Sequence, residues 1–237
     1  MNPTTFINNY REAFGEKASL PIIFYYSDQP IANTEKINGC FFKGMEAVRN
    51  GEPISLNAEV IGCGGGKLYT GFGPMNEYIP NFVSQKEHYK QTPQDVVAYV
   101  DSLQLQSFTG KYLNFVRIDQ VETFDEMEGL LFFATPDMLA GLTMWAFFDN
   151  ASEDAVSAIF GSGCSSVVSL AVRENRMNGQ RTFLGLFDPS VRPYVGANEL
   201  SFVIPASRFK TMTETMRQSC LFDTRAWTKV KERINQQ

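Results

Sequence analysis

The chain has 237 residues, of which 43% are hydrophobic and 20% charged, and a formal net charge of −5. That composition suits a soluble globular protein with a buried core, in one domain or two fused halves. The acidic balance, without any clustered Lys/Arg run, speaks against nucleic acid and anionic membrane as partners, because both need a basic face. No apolar run approaches the roughly 18 residues of a membrane span, and the opening MNPTTFINNYREAFGEK lacks the charged start and apolar stretch of a signal peptide. The expectation is a cytoplasmic protein, where Cys40, Cys63, Cys164 and Cys220 serve as thiols or ligands in preference to disulfides.

Residues 3–16 place Phe6, Ile7, Tyr10, Ala13 and Phe14 at helical spacing after a proline, which predicts an amphipathic helix. LPIIFYYSDQP reads as a buried strand ending in a turn, and CFFKGMEAVRNG (40–51) as a short helix closed by Asn50 and Gly51. PISLNAEVIG is the next expected strand, leading into the glycine-rich GCGGG. Thr92 followed by Pro93 starts a helix over 92–103. YLNFVRI and GLLFFAT look like strands, and Thr135 with Pro136 opens a helix over TPDMLAGLTMWAFFDN. GSGCSS then leads into VVSLAV, which fits either a helix start or a strand, with TFLGLFD and LSFVI as later strands and helices over about 206–218 and 223–234. The twenty phenylalanines read as a Phe-rich core. Strands and helices alternate without a linker, so the fold class is α+β or α/β: a single compact unit over 1–237, with mixed sheet flanked by helices. A faint parallel between strand, helix, GCGGG and strand, helix, GSGCSS suggests two pseudo-repeated halves, 1–110 and 111–237.

In ordered succession, CFFKGMEAVRNGEPI, CGGGKLYTGF, FGSGCSSVV, LGLFDPSVR and LSFVIPASRF run over about residues 20–217. On these segments the chain resembles the domain of unknown function 169 family of bacteria and archaea. The resemblance implies no reaction. It implies that Cys40, Cys63 with Gly64 to Gly66, Cys164 after Gly161 and Gly163, and Asp188 with Arg192 are the positions to inspect.

Chemistry gives those positions several readings. If a helix starts at Gly163-Cys164-Ser165, its free N–H groups form an anion site and lower the Cys164 thiol pKa; otherwise the turn packs a small buried cysteine. Gly64, Gly65 and Gly66 beside Cys63 permit positive φ and close approach of a ligand, although neither a Walker A nor a GxGxxG spacing is present. Asp188 and Arg192 have the spacing of an N-cap and an i to i+4 ion pair, or of a guanidinium fork presented to a carboxylate or phosphate. The cysteines form no CxxC, so a metal site needs Cys40, Cys63 and Cys164 assembled in space. The single histidine, His88, sits in polar SQKEHYKQTP, a surface loop, and Cys220 in QSCLFD reads as a helix-end filler.

Two functions follow as expectations. The first is a protein that binds a small anionic molecule or cofactor, as enzyme or sensor, in a cleft lined by Cys63, Gly64, Gly65, Gly66, Gly163, Cys164, Ser165, Asp188 and Arg192. The second is a thiolate metal or iron-sulfur protein with a redox or cofactor-handling role. The sequence names no cofactor, and self-association stays open.

Overall fold

A computed structural model describes residues 1–106 and 108–236. In chain order, α1 (Pro3–Phe14) is followed by β1 (Ile22–Ser27), a 3-10 turn (Phe41–Gly44) running into α2 (Met45–Arg49), β2 (Ile54–Leu56), α3 (Gly64–Tyr69), α4 (Tyr78–Asn81) and α5 (Pro93–Ser102). Then come β3 (Tyr112–Arg117), β4 (Gly129–Ala134), α6 (Pro136–Phe148), β5 (Val156–Ser157), a π-helical turn (Ser165–Ser169) continuing into α7 (Leu170–Arg176), β6 (Thr182–Gly185), β7 (Leu200–Pro205), α8 (Ala206–Thr215) and α9 (Arg225–Ile234).

Local chemistry sets many of these boundaries. Asn2 caps α1 by accepting the Thr5 N–H, and Pro3 occupies the first turn, where its missing donor costs nothing. Thr92 and Asp95 form a reciprocal capping box at α5. Gly51, at φ 94°, ends α2 in the left-handed region.

Among the described residues the strands form one seven-stranded sheet, ordered β2-β3-β1-β4-β7-β6-β5. All neighbours pair antiparallel except β5 and β6. The architecture is α+β, a mixed sheet in a single unit with helices on both faces. Outward from the central β1–β4 pair, β3 then β2 lie on one side and β7 then β6 on the other. The first three strands thus lie together, and the chain passes to the other four between Arg117 and Gly129.

Side chains alternate between the two faces along each strand. Ile23, Leu130, Phe132 and Phe202 enter one core with α1, α6, α8 and α9, around Phe6, Tyr10 and Trp145. Ile22, Phe24, Leu131 and Phe183 enter the other, with Phe41, Phe42, Tyr69 and Val168. Cys164, Cys40 and the residues flanking Cys63, namely Ile61, Leu68 and Tyr69, belong to this second core.

One segment departs from the sequence expectation, and another takes one of the two states the sequence left open. PISLNAEVIG is a strand only over Ile54–Leu56. Asn57 then turns the chain by accepting the Glu59 and Val60 N–H groups on Oδ1, and Ile61 keeps a single bridge to Ile37. SSVVSLAV, with its strand-like branching, is helical. The hydroxyls of Ser165 and Ser166 donate to the Ser162 and Gly163 carbonyls, and burial of Val167 and Val168 outweighs their propensity.

Candidate functional site

The glycine triplet is not a loop. Gly64, Gly65 and Gly66 form the first turn of α3, and Cys63 is its N-cap, with Sγ accepting the Gly66 N–H at 3.5 Å. The glycines in the left-handed region are Gly15, Gly39, Gly51 and Gly71, so the expectation that the triplet supplies positive φ is corrected. Space distinguishes its members. A Cβ on Gly66 would lie 3.0 Å from Ile61 Cγ2, whereas on Gly64 or Gly65 the nearest atom stands at 3.9 Å. Helix geometry and packing thus account for Gly66 and leave Gly64 and Gly65 without a fold-level reason, although glycine costs roughly 0.5–1 kcal/mol against alanine in a helix.

The second turn is built differently. A Cβ on Gly161 would meet Tyr99 Oη at 2.2 Å, and one on Gly163 would be pressed by Val191, Leu186 and Phe42 at 3.0 to 3.1 Å. Cys164 has helical φ and ψ in the first turn and is 8% exposed, with Ser162 Oγ at 3.2 Å from its sulfur. Ser165 is fully buried; its hydroxyl donates to the Ser162 carbonyl and its N–H to Ser162 Oγ, so it offers nothing to a ligand.

The two turns converge on one cavity of about 350 Å³. Cys40, Cys63, Cys164 and Asp188 line it together with Gly64, Gly65, Gly66 and Gly163. Its walls are aromatic: Tyr69 and Tyr99 inside, Tyr89 above, and Tyr78, Phe82 and Phe160 at the exposed mouth. Tyr78 and Phe82 stack at 5.4 Å between centroids, and Phe160 packs edge-on to Tyr89 at 6.4 Å. A larger surface groove of about 970 Å³ lies elsewhere, but its guanidiniums at Arg49 and Arg117 already pair with Glu199 and Asp119.

Burial controls the titration of this cavity. It pushes the Cys40 thiol up to about 11 and the Cys164 thiol further still, with the Asp188 charge adding to both. The expectation that a helix start would lower the Cys164 pKa is therefore corrected, because desolvation of a buried thiolate outweighs the dipole of one helical turn. Burial likewise raises the Tyr69 and Tyr99 hydroxyls. Tyr99 Oη is buried beside Ser165 without hydrogen-bond geometry.

Asp188 and Arg192 part company. Asp188 is 4% exposed and closes a turn, accepting the Ser190 N–H at 2.9 Å and its hydroxyl at 2.8 and 2.9 Å. Arg192 begins a 3-10 turn, Arg192–Tyr194, outside the cavity, and its guanidinium donates to the carbonyls of Glu199, Gly196 and Ala197. The expected ion pair and the expected anion receptor both fail at this residue, because a turn replaces the helix that would have set the two side chains on one face. Among the described residues, no three His, Cys, Asp or Glu side chains group so as to hold a metal ion, although Cys40, Cys63 and Cys164 share the cavity. His88 is exposed and outside the cavity lining, and Cys220 lies away from it too.

The aromatic wall went unread in the sequence. YIPNFVSQKEHYKQTP mixes Tyr78, Phe82 and Tyr89 with polar residues, and aromatics recurring in an otherwise polar stretch were the available signal.

Fold and site together describe an α+β protein with a thiol-floored, aromatic-walled cavity on one face of its sheet. The chain belongs to the domain of unknown function 169 family, described as uncharacterised ArCR, whose profile matches residues 19–215. Neither a curated protein nor a solved structure matches the chain. Among the described residues no helix is long and apolar enough to cross a membrane.

Proposed function

We propose that the protein binds a small, largely apolar molecule in the cavity between Cys63 and Cys164. The observation that carries this reading is the helical pair Gly64 and Gly65. A Cβ at Gly65 would approach only Cys63 Sγ and Tyr69 Cε2, and one at Gly64 only Ile79, all of which line the cavity. The room is reserved where nothing in the fold needs it, at the expense of helix stability. A volume near 350 Å³ with aromatic walls and few polar groups is in the range of small-molecule sites. The anionic ligand suggested by Arg192 has no support in the geometry, since that guanidinium is committed to three carbonyls.

Gly65→Leu tests the reading, with prodan, a neutral naphthalene dye, as probe. Leucine fills the cavity and improves the helix, so the variant should melt no lower than wild type, by about 1 kcal/mol in its favour, while losing the blue-shifted prodan emission that wild type gives. Undiminished prodan uptake by the variant, or none by wild type, would reduce the cavity to a packing gap. A thiolate metal or cluster role, the other class the cysteines suggest, finds no comparable support in the arrangement of donors among the described residues.

A further inference from the structure

The charged groups lining the cavity are Asp188, Glu87 and Lys90. Asp188 is the deepest, 4% exposed, and among the described residues its carboxylate oxygens accept hydrogen bonds only from Ser190. Among the described residues no Lys, Arg or His nitrogen lies within 4.0 Å of it. A buried carboxylate without a cation is costly, and proteins ordinarily pair such groups. Around it, the ionisable neighbours stay protonated: burial and the Asp188 charge raise Cys40, Cys164, Tyr69 and Tyr89, the last to about 12. The acid therefore faces the protonated Cys40 and Cys164 thiols and Tyr69 and Tyr89 phenols, and by formal charge Asp188 and Glu87 against Lys90 leave the lining with one net negative charge.

The walls suit the same charge. Aromatic faces attract cations through their quadrupoles, and rings gathered around a pocket are the usual receptor for quaternary ammonium groups. The chain supplies its own example: the Lys90 ammonium lies 5.1 Å from the centroid of the Tyr99 ring.

We propose that the ligand of this cavity is an organic cation, a quaternary or protonated amine on an apolar body, held between the tyrosine faces and the Asp188 carboxylate. The assignment rests on the cavity reading above and reverses the ligand charge that Arg192 suggested. Lys90 lies over the Tyr99 face and gives way to the ligand.

Calorimetric titration with three probes tests this: benzyltrimethylammonium, its uncharged isostere neopentylbenzene, and phenylmethanesulfonate. The cation should bind wild type about tenfold tighter than the isostere, and the sulfonate should bind weakest. Asp188→Asn keeps an oxygen for the Ser190 N–H, so the fold persists; it should abolish the tenfold preference while leaving neopentylbenzene within about twofold. Lys90→Met should strengthen cation binding several-fold by freeing the Tyr99 face. Equal affinity for cation and isostere, or a preference that survives Asp188→Asn, overturns the charge assignment. If neopentylbenzene or the sulfonate still binds wild type and is lost in Gly65→Leu, the cavity reading survives that failure. Absence of binding by all three overturns both.

Discussion

Arg192 shows how a spacing rule fails when the backbone it assumes is absent. Four residues from Asp188, it reads as one turn of helix away, yet Pro189 and Ser190 form a turn and Asp188 spends its carboxylate on Ser190. Arg192 instead closes the loop before β7, donating at 2.5 Å to the Glu199 carbonyl and at 2.9 Å to those of Gly196 and Ala197. Charge-assisted bonds of this kind are worth roughly 1.5–3 kcal/mol each when buried and less when, as here, the group is partly exposed. Arg192→Ala should therefore cost about 1–2 kcal/mol in urea unfolding, and Arg192→Lys should recover little of it, because one ammonium cannot span three carbonyls. Prodan uptake should not change. A melting temperature unmoved by the alanine substitution would return the residue to the solvent.

At the scale of elements, capping chemistry made the helices legible. Pro3, Pro93 and Pro136 each mark a true start, because proline's missing N–H costs nothing in a first turn; Asn2 and Thr92 add side-chain caps, whereas Thr135 makes no capping bond. Strands in the sheet centre were equally plain, since β1 and β4 are buried on both faces and read as continuous apolar runs. What was hidden depends on contacts distant in sequence. The helix after Cys164 is anchored by Ser169, 4% exposed, whose hydroxyl donates at 2.6 Å to the Tyr69 carbonyl at the end of α3. That bond joins the two cysteine-bearing helices across the floor of the site and satisfies a carbonyl the end of α3 leaves open. Ser169→Ala should cost about 1–3 kcal/mol, the penalty of a buried acceptor left unpaired, whereas Ser102→Ala at the exposed end of α5 should stay within about 0.5 kcal/mol. Equal losses from the two, measured by urea midpoint, would show that the helix–helix bond contributes nothing specific. The cavity itself was half legible. Cys63 and Cys164 advertise it, while Tyr78, Phe82 and Tyr89 come from a segment whose polarity reads as a surface loop, and only the fold gathers them with Tyr69 and Tyr99 around the thiols.

Across the whole molecule, the sheet separates two cores, and each holds weak acids in their neutral form. Tyr10 lies in the core of α1 and α6, where burial raises its hydroxyl; on the opposite face burial raises Tyr26, Tyr69, Cys40 and Cys164. Every one of these shifts has the same sign, so their effect on stability accumulates in one direction. For Cys40, with an ordinary value of 9.0 raised to about 11, folded and unfolded chains are both protonated below pH 9 and its contribution is fully present. Between pH 9 and 11 the unfolded chain ionises while the folded chain keeps the proton, so stability falls; above 11 both ionise and the decline from this group ends. The slope is about 1.4 kcal/mol per pH unit for each such group, which for Cys40, allowing for its partial exposure, amounts to about 2 kcal/mol in all. Urea unfolding under reducing conditions should therefore give stability that is level near neutral pH and drops steeply from pH 9 upward. Cys40→Ala, whatever its effect at pH 8, should drop by about 2 kcal/mol less than wild type on going to pH 11, because it has no thiol to ionise in the unfolded chain. If the wild-type curve stays level to pH 11, or the two curves run parallel, Cys40 is not held protonated by the fold and its place in the buried floor of the cavity is wrong.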